Sequence, residues 1–288
     1  MPVSPISSDS ITGWNYQPAP VLAPLPIEGY TGIRKQDGRT YGRTIGVQRN
    51  LRASPYYQYK PENAYPGQKP ENIWGGFSQW NTNNCTIVAV IKMAMMQFGE
   101  KPTDIFKEVR ETPDGYYVTL KNGETIFLSK DELKQAAEAT KLKCQNIQTA
   151  IYANFIVAVA AKRFQEQNHG SGPADYARAL DIMNDGGSIE YAFKRLGLWE
   201  LVEQVPPEEL AEGRLGVFQS GSHVAVSVDG KEERWGKQGG PTPTGAEVYV
   251  AYGFKNDAGQ SEGVKASGKV AASPNRHLSQ LGWRARMR

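Results

Sequence analysis

Residues 77–99 read FSQWNTNNCTIVAVIKMAMMQFG, and the interpretation of the whole chain depends on this stretch. From Cys85 onward nearly every residue is apolar, Asn83 and Asn84 precede the run as candidate N-caps, and Gly99 ends it. The pattern predicts a buried central helix that begins at a cysteine. The N–H groups and the dipole at a helix N-terminus favour a thiolate, so this cysteine is a candidate nucleophile. The alternative is an inert core thiol, since free cysteine is among the most buried residue types.

The composition is that of an ordinary globular protein. Of the 288 residues, 39% are hydrophobic and 22% are charged, and a chain of this length can bury a full core. Lys and Arg outnumber Asp and Glu by 33 to 30, a balance that does not indicate a nucleic-acid or anionic-membrane partner. No run approaches the roughly 18–20 apolar residues of a membrane span, and the first residues lack the features of a secretory signal. We therefore expect synthesis in the cytoplasm and no membrane span.

The cysteine and histidine content argues against stabilisation by disulfides or by a metal. Cys85 and Cys144 do not make a disulfide framework, and with His169, His223 and His277 scattered along the chain a zinc site is not predicted. No calcium loop of the Asp-x-Asp-x-Asp-Gly kind is found. We expect no metal and no cofactor, and we interpret Cys144, which lies near a helix end, as structural.

The sequence divides into three regions. Residues 1–69 are rich in Pro, Ser and Gly, which predicts an extended or disordered leader that is either a flexible tail or a secretion or targeting segment. Residues 70–254 carry the periodic patterns of a folded domain, and residues 255–288 form a polar tail that we expect to be partly ordered. Within the domain, helical patterns come first and strand patterns last, with one early hairpin inserted. This segregation predicts an α+β fold.

Local signals locate the individual elements. Asn122-Gly123 is the dipeptide of a two-residue type I′ hairpin turn. Ser129 and Glu132 form a capping box that opens a helix over 130–140. Further helices are predicted over 147–167, 173–184 and 188–198, and strands over 214–219, 222–228 and 247–254.

Gln79 lies six residues before Cys85. Acyl transfer through a thiolate builds negative charge on the carbonyl oxygen of the substrate, and a side-chain amide together with the backbone N–H of the nucleophile can hold that charge. A loop of about six residues can bring such an amide to the helix N-terminus. Gln79 is therefore a candidate oxyanion donor, and the alternative is a surface glutamine.

A cysteine nucleophile needs a base that titrates near neutral pH, which points to a histidine. His169 lies in a glycine-rich loop and His277 in the polar tail, so we expect both to be solvated. His223 begins the alternating strand HVAVSV, and a strand terminus holds a base rigidly while leaving it open to a cleft. His223 is the candidate general base.

The segment QWNTNNC at the start of an apolar helix, followed more than a hundred residues later by SHVAVSV and then RWG, resembles the papain-fold cysteine proteases. The hairpin sequence VTLKNGETIFL and the helix AVAAKRF, followed by a Gly-Gly turn, are similar to the calpain-like branch. The resemblance covers about residues 70–255. It implies a two-lobe fold, in which a helical lobe that carries the cysteine helix packs on an antiparallel β lobe that carries the histidine. It also implies the roles of nucleophile for Cys85, base for His223 and oxyanion donor for Gln79.

The chain departs from the family pattern at two places. Members usually have Cys-Trp at the nucleophile, where this chain has Cys85-Thr86. The Asn or Asp that orients the histidine usually lies about sixteen or more residues after it, where this chain has Gly239. Glu233, directly before RWG, takes the matching place in a shortened hairpin. Trp235 is expected either to shield the histidine from water or to be a buried aromatic residue with no chemical role.

Strand geometry leaves the third catalytic residue open. If Asp229-Gly230 is a two-residue turn, Glu233 lies about 10 Å from His223 along the strand at about 3.3 Å per residue, and Asp229 lies about 20 Å away. The alternatives to Glu233 are Asp229, Glu232 and Gln238.

The sequence therefore predicts a cysteine endopeptidase that acts on a protein or peptide substrate. Deamidases and transglutaminases with a related core use the same two residue types, and an inactive papain-like binding module is the alternative from a different class. A Ser- and Pro-rich leader without a signal peptide suits a bacterial effector that a dedicated injection system exports into a host cell.

Overall fold

The computed structural model describes residues 55–167 and 175–258. Within these ranges the chain has an α+β fold with antiparallel sheets, as the order of the sequence patterns predicts. No helix of the described ranges has the length and apolar character needed to cross a membrane. The α-helices are α1 (Cys85–Phe98), α2 (Pro102–Ile105), α3 (Lys130–Thr140), α4 (Ile147–Glu166), α5 (Tyr176–Asn184), α6 (Ile189–Arg195) and α7 (Pro207–Ala211), and short 3-10 turns lie at Pro55–Tyr57, Trp199–Leu201 and Gly245–Glu247.

The strands of the described residues form antiparallel sheets of two, three and six strands. They are β1 (Phe77–Ser78), β2 (Glu108–Glu111), β3 (Gly115–Thr119), β4 (Thr125–Ser129), β5 (Lys143–Cys144), β6 (Val202–Gln204), β7 (Gly216–Ser220), β8 (His223–Val228), β9 (Lys231–Arg234), β10 (Lys237–Pro241) and β11 (Val250–Phe254). The small sheets are β1-β5 and β2-β3-β4, and the order in the large sheet is β10-β9-β8-β7-β11-β6.

Helix α1 is buried on every side, as its apolar sequence predicts. All residues from Cys85 to Met95 are buried, including one charged side chain, Lys92. The helix packs against strand β8 of the large sheet and against α4 and α6. Since α1 begins at Cys85 and β8 begins at His223, this packing brings the two candidate catalytic residues to one edge of the helix–sheet contact.

Strand β8 is buried on both faces. Val224, Val226 and Val228 belong to the main core together with the residues of α1. Ala225, on the opposite face, packs in a smaller cluster with Phe218. Successive side chains of a strand point to opposite faces, which explains this division. A strand held on both faces is a rigid support for the side chain at its first position.

The capping box was predicted correctly. The Glu132 N–H donates to Ser129 Oγ at 3.1 Å, and the Ser129 N–H donates to Glu132 Oε2 at 2.9 Å. Helix α3 accordingly begins directly after Ser129 and covers the predicted range of 130–140. The structure also confirms the long helix predicted over 147–167, which is α4.

The turn predicted at Asn122-Gly123 was wrong in type. The Leu120 N–H donates to the Glu124 carbonyl at 2.8 Å, so the loop between these residues has three members. The Gly123 N–H donates back to the Leu120 carbonyl at 2.9 Å, and Gly123 is the loop residue with a left-handed φ of +88°. A type I′ turn needs two such residues, whereas a type I turn followed by one left-handed glycine needs one. The loop is of the second kind.

Two-residue turns with paired left-handed residues occur instead on both sides of β9. Asp229 and Gly230 have φ values of +50° and +73°, and Trp235 and Gly236 have +54° and +82°. Val228 faces Lys231 across the first turn, which is the two-residue geometry assumed in the sequence analysis. These two tight turns keep β8, β9 and β10 in a compact meander.

The packed region includes residues before position 70, where the sequence analysis places the leader. Tyr59 is buried in the main core and its ring lies 4.1 Å from that of Phe155. Beyond the predicted domain end at residue 254, Ala258 is also part of the core. The remainder of the predicted leader, residues 1–54, and of the predicted tail, residues 259–288, lies outside the described residues.

Candidate active site

Cys85 is the first residue of α1, and 9% of it is exposed. Asn84 occupies the N-cap position, but its side chain makes no capping hydrogen bond. Its amide donates instead to the Thr140 carbonyl and to Asn184 Oδ1, both at 3.1 Å. The Asn84 side chain therefore does not cap the first turn of α1. The N–H groups of this turn lie at the helix end where Cys85 is placed.

The Cys85 thiol forms a hydrogen bond with the His223 side chain and accepts one from the Val224 backbone N–H. Burial raises the pKa of the Cys85 thiol, but the hydrogen bond and the charge of His223, with the Val224 N–H, outweigh it, so the pKa is lowered overall. The structure therefore brings two residues that are far apart in sequence into a pair with an activated thiol.

The imidazole of His223 is held by Trp235. The two rings stack at a centroid distance of 4.5 Å and an interplanar angle of 30°. His223 Nε2 is buried without a hydrogen-bond partner. Trp235 itself is 55% exposed, so it covers one face of the imidazole as a lid rather than as a core residue.

Gln79 directly follows strand β1 and lies beside Cys85. Its Nε2 donates to the backbone carbonyl of Thr82, and its Oε1 is buried without a partner. Gln79, Cys85 and His223 line one small cavity of ≈ 10 Å³, together with Val88, Val224, Glu233 and Trp235. The amide predicted to be an oxyanion donor is thus next to the thiol.

Buried polar atoms without partners are concentrated here. Among the described residues, such atoms include Gln79 Oε1, Thr82 Oγ1, Asn84 Oδ1 and His223 Nε2, which belong to the site or to the loop that leads to it. Natural proteins leave few buried polar atoms unpaired, and those that remain call for an explanation in a ligand or a catalytic role. Two of these atoms, Gln79 Oε1 and His223 Nε2, belong to residues that line the small cavity.

Glu233 reaches the site through its side chain. β8 and β9 pair at Ser227 with Glu232 and at Val228 with Lys231. The Glu233 side chain turns back over the following tight turn, where the Gly236 N–H donates to its Oε1 at 2.5 Å. The Glu233 side chain lines the same small cavity as His223.

The other candidates for the third role do not line the small cavity. Asp229 is in the turn at the far end of β8. Glu232 faces the opposite side of the sheet from Glu233 and forms an ion pair with Arg234 at 2.8 Å. Gln238 pairs with Glu233 across β9 and β10 and is exposed. Of the four, Glu233 shares the small cavity with the imidazole.

Lys92 is a site residue that the sequence analysis missed. It lies two turns after Cys85 on α1, is fully buried, and its Nζ is 3.4 Å from Glu233 Oε1. Nζ also donates to the carbonyls of Ile73 at 2.8 Å and Trp74 at 2.7 Å. Burial lowers the pKa of Lys92 to about 8, although Glu233 opposes the shift. The available signal was a single lysine inside the apolar run IVAVIKMAMM.

A larger groove adjoins His223 on the face of the sheet opposite to α1. Its volume is ≈ 440 Å³, and its walls combine both charges with hydroxyl groups and prolines. The lining residues include Ser220, Glu232, Arg234, Thr242, Thr244 and Glu247. His223 lines both the groove and the small cavity, so the imidazole lies between the thiol and an open polar surface.

Cys144 has no such surroundings. It lies on β5, where it pairs with Phe77 of β1, and it is half-buried. His169 and His277 lie outside the described residues. No group of three or more His, Cys, Asp or Glu side chains in the described ranges has the arrangement of a metal site.

Comparisons with protein-family models, with curated proteins and with solved structures give no match for this chain. A function can therefore be inferred only from the geometry around Cys85 and His223.

Proposed function

We propose that the protein is a cysteine protease with a papain-like active site. The observation that carries the proposal is the hydrogen-bonded pair of Cys85, at the N-terminus of a buried helix, and His223, at the start of a buried strand. A thiol with a lowered pKa beside an imidazole is the arrangement that nucleophilic acyl transfer requires.

The proposed architecture is the two-lobe one. The helices around α1 and α4 form the helical lobe, and the six-stranded antiparallel sheet forms the β lobe. Support comes from the packing of α1 on β8, with the cysteine and the histidine at the same edge of the contact.

The chemistry follows from the positions of the groups. His223 takes the thiol proton, and the Cys85 thiolate attacks the carbonyl carbon of the scissile peptide bond. The carbonyl oxygen becomes an oxyanion, which the Cys85 backbone N–H and the Gln79 amide stabilise. The Gln79 Nε2 donates one proton to the Thr82 carbonyl, which orients the amide and leaves its second proton for the oxyanion.

The second half of the reaction uses the same groups. The tetrahedral intermediate collapses, the C–N bond breaks, and His223 gives its proton to the leaving amine. Water then attacks the thioester carbon while His223 takes its proton, the C–S bond breaks, and the acid product departs as the Cys85 thiolate is regenerated. We place the leaving segment of the substrate in the groove beside His223, whose charged and hydroxyl-bearing walls suit a polar peptide.

Glu233 is the proposed positioning residue for His223. In the thiolate–imidazolium pair both ring nitrogens carry protons, so Nε2–H needs an acceptor. The Glu233 carboxylate lies across a cavity of ≈ 10 Å³ from the imidazole, close to the volume at which a cavity holds one water. We place its action on His223 through one bridging water, with Trp235 shielding the contact.

The test is hydrolysis of fluorescent casein by the full-length chain, with Cys85→Ala and Cys144→Ala compared in parallel. The proposal predicts new peptide N-termini that disappear with Cys85→Ala and persist with Cys144→Ala. Release of ammonia from glutamine side chains without cleavage would instead assign the site to a deamidase or transglutaminase. Absence of both reactions over a range of substrates would favour a binding module.

A further inference from the structure

The buried ammonium of Lys92 is the feature that neither packing nor the proposed chemistry explains by itself. Lys92 has no exposed surface and lies on α1 seven positions after Cys85, so both side chains are on the same face of the helix. Removing an ammonium from water is costly, and an apolar side chain of similar length would fill the position at less cost. The charge therefore calls for a role beyond filling space.

All three protons of the ammonium meet acceptors. Two go to the carbonyls of Ile73 and Trp74, at 2.8 and 2.7 Å, and the third faces Glu233 Oε1 at 3.4 Å. These carbonyls lie in the turn over 72–76. The Gly76 N–H closes this turn by donating to the Asn72 carbonyl, so it does not donate to the carbonyls of Ile73 and Trp74. The ammonium is thus the hub of a fully satisfied buried network.

Each contact leads to a different part of the site. Ile73 and Trp74 precede β1, and the ring of Phe77 in β1 lies 5.1 Å from the ammonium. These contacts connect Lys92 with the segment that continues to Gln79, and we call this connection the Gln79 arm. The contact with Glu233 connects Lys92 with the cavity that His223 lines, and we call this connection the His223 arm. The third connection is covalent, since Lys92 is part of the helix that Cys85 begins.

From this geometry we infer that Lys92 is a positioning residue for the active site, which fixes the Gln79 segment on one side and Glu233 on the other relative to Cys85. The inference rests on the proposed function, since it assigns a role in the same site. It predicts that loss of the network leaves the fold intact but misplaces groups around the thiol. A misplacement of about 1 Å can cost about 10²-fold in rate.

Two variants separate the two arms. Glu233→Gln retains the acceptor oxygen for Lys92 and Gly236 and leaves the Lys92 contacts with Ile73 and Trp74 in place, but it removes the negative charge beside His223 and Lys92. Lys92→Met combined with Glu233→Gln removes the whole network without leaving an unpaired buried charge. Lys162→Met is the matched control, because it breaks an ion pair of 2.8 Å with Glu132 away from the site.

Two readouts are needed for each variant, besides a thermal melt to establish folding. The rate of iodoacetamide labelling of Cys85 reports the Cys–His pair and involves no oxyanion. Turnover of fluorescent casein reports the pair and the oxyanion donor together. Cys144, labelled in the same sample, normalises for reagent and protein concentration.

The expected result is a graded one. Glu233→Gln slows labelling and turnover by the same factor. The double variant melts near the wild-type temperature and labels as Glu233→Gln does, but its turnover falls by a further factor of about 10–10² because Gln79 is no longer held. Lys162→Met changes neither rate.

Equal turnover for Glu233→Gln and the folded double variant would overturn the inference, since Lys92 would then do nothing for Gln79. Failure of the proposed function itself has a different signature. In that case Cys85 of the wild-type protein labels no faster than Cys144, and casein is not cleaved, whatever the state of position 92.

Discussion

Cys85 and Cys144 place the same functional group in two environments. Cys85 is buried and contacts an imidazole and a backbone N–H, whereas Cys144 is half-buried on a short strand. Accessibility alone would make Cys144 the more reactive of the two. Activation by His223 acts in the other direction, because the thiolate is the reactive form and the lowered pKa of Cys85 increases its population. Reactivity of the two thiols in one sample therefore separates access from activation.

Gln79→Ala is expected to reduce casein turnover by about 10²- to 10³-fold, because one of the two donors to the oxyanion is lost. The substitution should leave the iodoacetamide labelling rate of Cys85 unchanged, since alkylation forms no oxyanion. Parallel measurement of both rates checks the assignment. An unchanged turnover, or an equal fall in labelling, would mean that Gln79 does not serve as the oxyanion donor.

At the level of secondary structure, the sequence predicts the elements with strong local signals. The apolar run after Cys85, the capping box at Ser129 and the long run over 147–167 all lie where predicted, because burial and capping act over neighbouring residues. The short strands β1, β2, β5, β6 and β10 were not predicted. β1 pairs with β5, and β6 with β11, so the partners of these strands are distant in sequence. β2 and β10 pair with neighbouring strands, but their own patterns are weak.

For the site, local patterns identified Gln79, Cys85 and His223 as candidates, but their meeting depends on the packing of α1 on β8. The reach of Glu233 could not be predicted, because it depends on a side chain that turns back over the following tight turn to the Gly236 N–H. In the sequence, Lys92 is visible only as a charged residue that interrupts an apolar run. The role inferred for it depends on contacts with two distant segments, at Ile73-Trp74 and at Glu233.

The turn between β9 and β10 provides a test at this scale. Gly236→Ala is expected to cost about 1–2 kcal/mol of stability, because φ is +82° and the position is left-handed. A Cβ would also lie 2.8 Å from Ser78 Oγ, directly before Gln79, so we expect casein turnover to fall as well. Urea unfolding and turnover measure the two effects.

Gly123→Ala is the matched control for this substitution. Its φ is +88°, and a Cβ there meets no atom within 4 Å, so it has the backbone cost alone. Equal losses of turnover for the two variants would contradict a specific role for the turn that contains Trp235.

At the scale of the whole molecule, the buried Lys92 lowers the free energy of unfolding at neutral pH. A buried lysine with a pKa lowered to about 8 from 10.5 binds its proton more weakly in the folded chain than in the unfolded one. At pH 9 the unfolded chain therefore holds more protons, and the free energy of unfolding rises with pH in this window. The penalty for the charged form is fully present below about pH 8 and is relieved as pH rises toward the unfolded pKa.

We expect the unfolding free energy of the wild-type protein to rise by about 2 kcal/mol between pH 7.5 and 9.5, relative to that of the variant with both Lys92→Met and Glu233→Gln. Urea unfolding at several pH values measures both. The comparison stops below pH 10, because burial raises the pKa of tyrosines such as Tyr116, to about 12, and these groups oppose the trend. If the free energies of unfolding of the two proteins changed with pH in parallel, Lys92 would not be a buried ammonium with a lowered pKa.

The central claim is that Cys85 and His223 act as a pair, and one measurement tests it most directly. Native protein is labelled with iodoacetamide from pH 4 to 9, both cysteines are quantified by mass mapping, and His223→Ala is treated in the same way. The account predicts that Cys85 labels faster than the more accessible Cys144, with an apparent pKa below that of an ordinary cysteine thiol, and that both properties are lost in His223→Ala. Cys85 labelling that is slower than that of Cys144, and that speeds up when the imidazole is removed and the thiol is uncovered, would contradict it.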